Sequence, residues 1–258
     1  MDLSLRHKGF VFKKEYMKGC EHVFKKMIQI VEDILGPSGV SKPVDKTKQK
    51  SVISTYKEQT GNGLFSTMFN KGNYGEFSAY GKLASLPGYH KALFNIYIPN
   101  GKGKTTEIDL VYLHQTGIYV IESKNYSGWI FGDEKSQNWM QTFPNGQKFS
   151  FYNPIKQNNG HIKALKVLLP SIETAHFTSV IVFSERCELK KVSYEAKDTY
   201  VIKRNHLSNL MKQSIQSSPN ILEATYIDKI YNFLSQYQMV EKSVKEQHVE
   251  KIKGKFSP

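Results

Sequence analysis

Three carboxylates and one amine, Glu107, Asp109, Glu122 and Lys124, interrupt two apolar runs that occupy 108–113 and 118–121. The break between the runs is His114-Gln115-Thr116-Gly117, with a glycine tolerant of positive φ, so the stretch predicts a β-hairpin. Counting back from the turn pairs Leu113 with Ile118, Leu110 with Ile121, Asp109 with Glu122 and Glu107 with Lys124. Strand alternation then turns all four charged side chains to one face. Such a cluster is costly without a counter-charge. A hard divalent cation would supply one, since Mg²⁺ takes one or two carboxylates and keeps its other positions for water and phosphate oxygens. That chemistry suits phosphodiester hydrolysis. The same four charges also fit two cross-strand salt bridges at a sheet edge.

The elements around the hairpin must position further polar groups. The sequence from Asn73 predicts a helix with Phe77, Tyr80, Leu83, Ala84 and Leu86 inward, stopped by Pro87-Gly88, and Glu76 in its first turn. A glutamate there is favourable through the helix dipole alone. Residues 94–98 form an alternating strand, and 99–104 a turn feeding the hairpin. Beyond it, 128–132 and 138–141 predict a second hairpin, followed by a turn at Pro144-Asn145-Gly146 and a strand over 148–152. Asn153-Pro154 is an N-cap with proline at the first helical position. The helix it opens places Gln157 and His161 one turn apart. Residues 180–183 read as a strand covered on both faces, with 199–202 as its partner, and 207–215 and 221–240 as helices.

Residues 15–35 show a near-3.6 apolar period ended by Gly36-Pro37, an amphipathic helix, and 36–60 read as a linker or loose loop with five lysines between Lys42 and Lys57. The 258 residues carry a formal net charge of +13. Residues 1–72 hold 13 Lys and Arg against 7 Asp and Glu, residues 73–186 hold 11 against 8, and residues 187–258 hold 12 against 8. A less basic centre with basic flanks fits an acidic site on a chain that tracks a phosphate backbone, and it also fits plain solubility. Cys20 and Cys187 form no metal or disulfide pattern. With no long apolar run and no signal-peptide core, a cytoplasmic protein without membrane contact is expected.

Gly75-Glu76, Thr106-Glu107-Ile108-Asp109, the run from Gly117 to Gly128 containing Glu122-Ser123-Lys124, Trp139, and Asn153-Pro154-Ile155-Lys156-Gln157-Asn158 with His161 occur in an order that resembles the PD-(D/E)XK restriction-endonuclease-like nucleases. More closely, the order resembles the nuclease-related domain. No proline precedes Asp109, which is also so in many relatives. The resemblance implies an α/β fold with a central mixed β-sheet flanked by helices, and Mg²⁺- or Mn²⁺-dependent hydrolysis of DNA in processing or defence. It makes Asp109 and Glu122 metal ligands, Glu76 a further ligand directly or through water, Lys124 the group beside the attacking water, and Gln157 a phosphate or supporting contact. Three segments are expected: a basic helix and linker over 1–72, the nuclease core over 73–185, and a strand with helices and a basic tail over 186–258, with a homo-oligomer left open. The alternative is a non-catalytic DNA-binding module with a nuclease-like core, in which the basic flanks act.

Overall fold

The computed structural model describes residues 54–60, 71–100, 105–173 and 176–238. The amphipathic helix expected over 15–35, Cys20 and the basic tail lie outside the described residues. Nine strands are described in two mixed sheets. The larger has the order β1-β2-β3-β7-β9, from β1 (His90–Pro99), β2 (Thr105–His114), β3 (Gly117–Lys124), β7 (Phe177–Phe183) and β9 (Thr199–Lys203). The smaller has the order β6-β5-β4-β8, from β4 (Gly128–Asp133), β5 (Asn138–Thr142), β6 (Lys148–Tyr152) and β8 (Cys187–Ser193). Four longer helices among the described residues flank them, α1 (Lys71–Leu83), α2 (Pro154–Leu168), α3 (Leu207–Ser217) and α4 (Ala224–Ser235).

The central hairpin keeps the expected register, Leu113 opposite Ile118 and Leu110 opposite Ile121. The ladder extends to His114 and Gly117, so the turn is two residues, Gln115-Thr116, rather than four. The hairpin does not lie at a sheet edge. β1 covers β2 on one side, and β7 runs parallel to β3 on the other. Val111, Leu113, Ile118 and Val120 pack with Ala164 and Leu165 of α2 and with Ile227, Ile230 and Leu234 of α4. The alternating residues reach the opposite layer, where Tyr112 Oη donates to the Leu83 carbonyl at the end of α1 and Tyr119 Oη bonds Ser214 of α3. The sheet is therefore a filling between two helical layers, as near-continuous apolar strands require.

Several boundaries move from those the sequence predicts. α1 begins at Lys71 and ends at Leu83, so Glu76 stands in the second turn and is beyond the reach of a helix-end explanation. Residues 54–60, within the stretch read as linker, are helical. The reason is Tyr56, 2% exposed, whose ring meets Phe77 and Phe94 edge-on at centroid distances of 5.3 and 5.1 Å. β8 carries too many charges to read as a strand, Cys-Glu-Leu-Lys-Lys-Val-Ser, yet it pairs parallel to β4 with an irregular register at Ile130/Phe131.

The smaller sheet is fastened by Trp139 and Asn153. Trp139 is buried, stacks on Phe183 of β7 with rings 2° from parallel, and donates from its indole N–H to the Asp133 carbonyl. Asn153 caps α2 by accepting the Ile155 N–H at 3.0 Å, and its amide donates to the Asp133, Glu134 and Ser136 carbonyls. One residue thus sets both where α2 starts and how the second sheet meets it. Under the indole lies Gly132, where an added Cβ would run into the ring. Gly132→Ala should lower stability in urea unfolding by about 3 kcal/mol, the top of the usual range for overpacking a core. An unchanged midpoint would show that the indole has another place to go.

Candidate active site

The ladder between β2 and β3 stops at Leu110 and Ile121. Just beyond it the two strands separate, and Asp109 Oδ2 accepts the Ser123 N–H at 2.8 Å. The expected cross-strand pair of Asp109 with Glu122 is therefore not part of the ladder, and the nearby Glu122 adds to the cost of ionising Asp109. The expected opposition of Glu107 and Lys124 does not occur. Glu107 sits across the other ladder from Tyr97 and accepts its phenolic hydrogen at 2.6 Å. Lys124 instead turns to Glu122.

On β1 the matching irregularity is Asn95, a non-glycine residue with φ of 49° in mid-strand. Its neighbours Leu93 and Ile96 both join the core that contains α2 and α4, as do Ile108 and Val111 opposite them. Strict alternation would send residues three apart to opposite faces, so the pleat is reset at Asn95 and Asp109. A left-handed non-glycine conformation is strained, and such strain gathers at functional positions. Here it frees the Asn95 side chain to bond Glu76.

Glu122 is the best-held member. Its Oε1 accepts from Lys124 Nζ at 2.7 Å and from Gln157 Nε2 at 2.8 Å, and its Oε2 accepts from His161 Nε2 at 3.1 Å. Gln157 Oε1 in turn accepts from Lys124 Nζ at 2.9 Å. Because a carboxylate only accepts, His161 carries its hydrogen on Nε2, and Nδ1 meets the Thr106 hydroxyl at 3.0 Å, which orients the ring. The one-turn spacing of Gln157 and His161 on α2 delivers both to one carboxylate.

Glu76 arrives from the other helical layer. It is buried, and Tyr56 Oη donates to its Oε2 at 3.4 Å. The close approach of α1 rests on Gly75, where an added Cβ would lie 2.7 Å from Ser123 Oγ. Sequence reasoning missed Tyr56, Asn95, Thr106 and the Ser123 N–H. The signals were slight: one asparagine inside Ala-Leu-Phe-Asn-Ile-Tyr-Ile, and one tyrosine in a lysine-rich stretch.

Electrostatics divide the carboxylates. Burial, then Glu122 and Glu76, push the Asp109 carboxyl well above its ordinary range. Burial likewise raises Glu76 to about 7, helped by Glu107 and Glu122 against the hydrogen bonds from Asn95 and Tyr56. At Glu122 burial also acts upward, but Lys124 and His161 outweigh it and hold the group down at about 2. Burial acts against the Lys124 ammonium, and Glu122 and Asp109 more than offset it, so its pKa is raised. A carboxyl whose folded pKa lies above its unfolded value keeps its proton longer in the native state. Stability of the metal-free protein should therefore fall as pH rises from about 4.5 to about 7 through Glu76. Glu122 acts in the other direction, its contribution present above about 4.5 and lost as pH falls toward about 2. Thermal melts in chelator across pH 5 to 8 check this. The decline should be shallower by roughly 1–3 kcal/mol in Glu76→Gln, and parallel curves would show that Glu76 does not titrate there.

Asp109 and Glu122 suit a divalent ion chemically. One oxygen of Asp109 has no hydrogen bond among the described residues, and Glu122 uses three of about four lone-pair positions. Among the described residues no three His, Cys, Asp or Glu side chains already form a metal cage. A two-carboxylate site completed by water is the arrangement Mg²⁺ favours.

The nuclease-related domain model matches residues 71–184, the stretch that holds the candidate residues Glu76, Asp109, Glu122, Lys124 and Gln157. An uncharacterized protein of Bacillus anthracis is 32% identical over 189 residues, covering 72% of this chain and 86% of the relative's own length. No solved structure matches the chain. With the strands, the two helical layers and the Glu76, Asp109, Glu122, Lys124 and Gln157 set in the expected order, the chain belongs to the nuclease-related domain family of the restriction-endonuclease-like superfamily.

Proposed function

We propose that the protein is a metal-dependent nuclease that hydrolyses phosphodiester bonds of DNA. The observation that carries this reading is the opening at Asp109 and Glu122, where one carboxylate is costly to ionise and the other is pinned as an anion by Lys124, Gln157 and His161. An inert sheet would neutralise such a pair or replace it with apolar side chains. Mg²⁺ or Mn²⁺ held by Asp109 and Glu122, with Glu76 reached directly or through water, would supply charge neutralisation and acidify a bound water.

The protein's own groups do the rest. Lys124 has two of its three donors engaged by Glu122 and Gln157, which fixes its direction and leaves one hydrogen for a water or a phosphate oxygen. Gln157 locks the amine against Glu122, and His161 holds the far oxygen, so neither has to reorganise when charge builds on the phosphoryl oxygens. The formal net charge of +13 favours a polyanionic substrate. Among the described residues no helix is long and apolar enough to cross a membrane.

Incubation of the purified protein with supercoiled, linear, nicked and single-stranded DNA in Mg²⁺ or Mn²⁺ tests the reading. Cleavage that chelator stops is expected. Intact substrate in every lane, with both ions, would overturn it in favour of a binding module.

A further inference from the structure

Lys124 is followed two residues later by Tyr126, and from there aromatic rings lead away from the carboxylates. Tyr126 stands just past the end of β3 at Lys124. Its ring meets Phe151 of β6 edge-on at 4.7 Å. Two positions back on the same strand face is Phe149, about 7 Å away at the rise of a β-strand. Phe149 meets Phe143 at 5.8 Å. Tyr126, Phe143 and Phe151 are half-buried, whereas Phe149 is 52% exposed.

This row sits on an edge strand, since β6 ends the smaller sheet and pairs only with β5 among the described residues. Trp139 on the same face is buried against Phe183, so the inner end is core and only the outer end is open. A cation stands at the Tyr126 end. Arg186 is exposed and donates from Nη2 to the carbonyl and side-chain oxygens of Asn125 at 3.0 and 2.9 Å, which leaves other guanidinium hydrogens for phosphate. Its acidic neighbour Glu185 is paired with Arg204 at 3.4 Å.

We propose that Tyr126, Phe151, Phe149 and Phe143 form a stacking platform for unpaired nucleobases, which guides a single strand of nucleic acid into the site at Asp109 and Glu122. This specifies the substrate form for the nuclease reading and rests on it. An aromatic row with an open outer end beside a cation holds a single strand because each base offers a π-face and the backbone offers charge. A duplex keeps those faces stacked on one another. The row begins at Tyr126, two residues after Lys124 in the chain, so its first ring follows directly on the strand that carries Glu122 and Lys124.

The test is binding in chelator, where no cleavage occurs, by fluorescence anisotropy of labelled DNA of about 20 nucleotides, single-stranded and as a blunt duplex, with a single-stranded RNA of the same sequence. Phe149→Ala should lower the ratio of single-strand to duplex affinity at least about 5-fold, and Phe149→Trp should retain it. A loss on both DNA and RNA assigns the platform to unpaired bases in general, and a loss on DNA alone assigns it to DNA. If Phe149→Ala and the double variant Phe149→Ala/Phe143→Ala both keep the native ratio, or single strand and duplex weaken together, the platform is refuted. Failure of the cleavage assay would remove the nuclease reading and leave this binding result standing.

Discussion

Asp109→Asn should lose cleavage by about 10³-fold or more and melt at a higher temperature than the native protein. The two effects share one cause. Burial, Glu122 and Glu76 make the Asp109 anion expensive, so ionising Asp109 costs the native state stability. The amide removes that charge and keeps an oxygen for the Ser123 N–H. Sites that hold a reactive arrangement at the expense of stability behave this way. Glu122→Gln should lose cleavage to the same degree but destabilise the protein by about 3 kcal/mol, because Lys124 then remains enclosed without its anion. Thermal melts in chelator and plasmid assays with Mg²⁺ read both quantities. Retained cleavage in Asp109→Asn would remove Asp109 from the mechanism, and a rise in stability for both variants would show that Lys124 does not depend on Glu122.

How much of this the chain announces depends on whether an element is decided locally. The β2–β3 register was legible because its apolar residues lie next to a short turn, and one slip would have turned every side chain to the wrong face. The α2 cap was legible because Asn153-Pro154 is a local signal, and Gln157 and His161 follow at helical spacing. β8 was not, since a strand supported by Cys187 and by parallel pairing to β4 keeps charged residues on its open side. Nor was the fate of Glu107. Alternation predicts its position against β3 only while that ladder continues, and the last residue of β2 paired with β3 is Leu110, just short of Asp109. The separation of the strands there is a tertiary event. It depends on Asn95 in the neighbouring strand and on Glu76 in a helix of the other layer, neither of which a hairpin pattern contains.

Gly75 shows the same limit and leads to the second large effect. In the sequence it is one more glycine in Asn-Tyr-Gly-Glu-Phe, and its cost inside a helix is about 1 kcal/mol relative to alanine. On intrinsic propensity, Gly75→Ala should stabilise α1. In the fold it should cut cleavage by about 100-fold, the scale of an ångström-size misplacement of catalytic groups. The new methyl would stand 2.7 Å from Ser123 Oγ, closer than real contacts allow, while the next atoms, Arg204 Nη2 at 3.5 Å and Ser123 Cβ at 3.9 Å, are at ordinary distance. Either α1 withdraws and takes Glu76 with it, or β3 shifts and disturbs the Ser123 N–H that holds Asp109. Ser123 Oγ is buried and makes no hydrogen bond among the described residues, so removing it costs little. Ser123→Ala should therefore be close to native in activity, since its backbone N–H remains. The double variant Gly75→Ala/Ser123→Ala should recover most of the lost cleavage, a strong positive coupling between contacting residues. Steady-state cleavage by the four proteins decides the matter. A double variant as slow as Gly75→Ala would mean that the glycine serves backbone freedom or substrate access, rather than the close seating of α1 on β3.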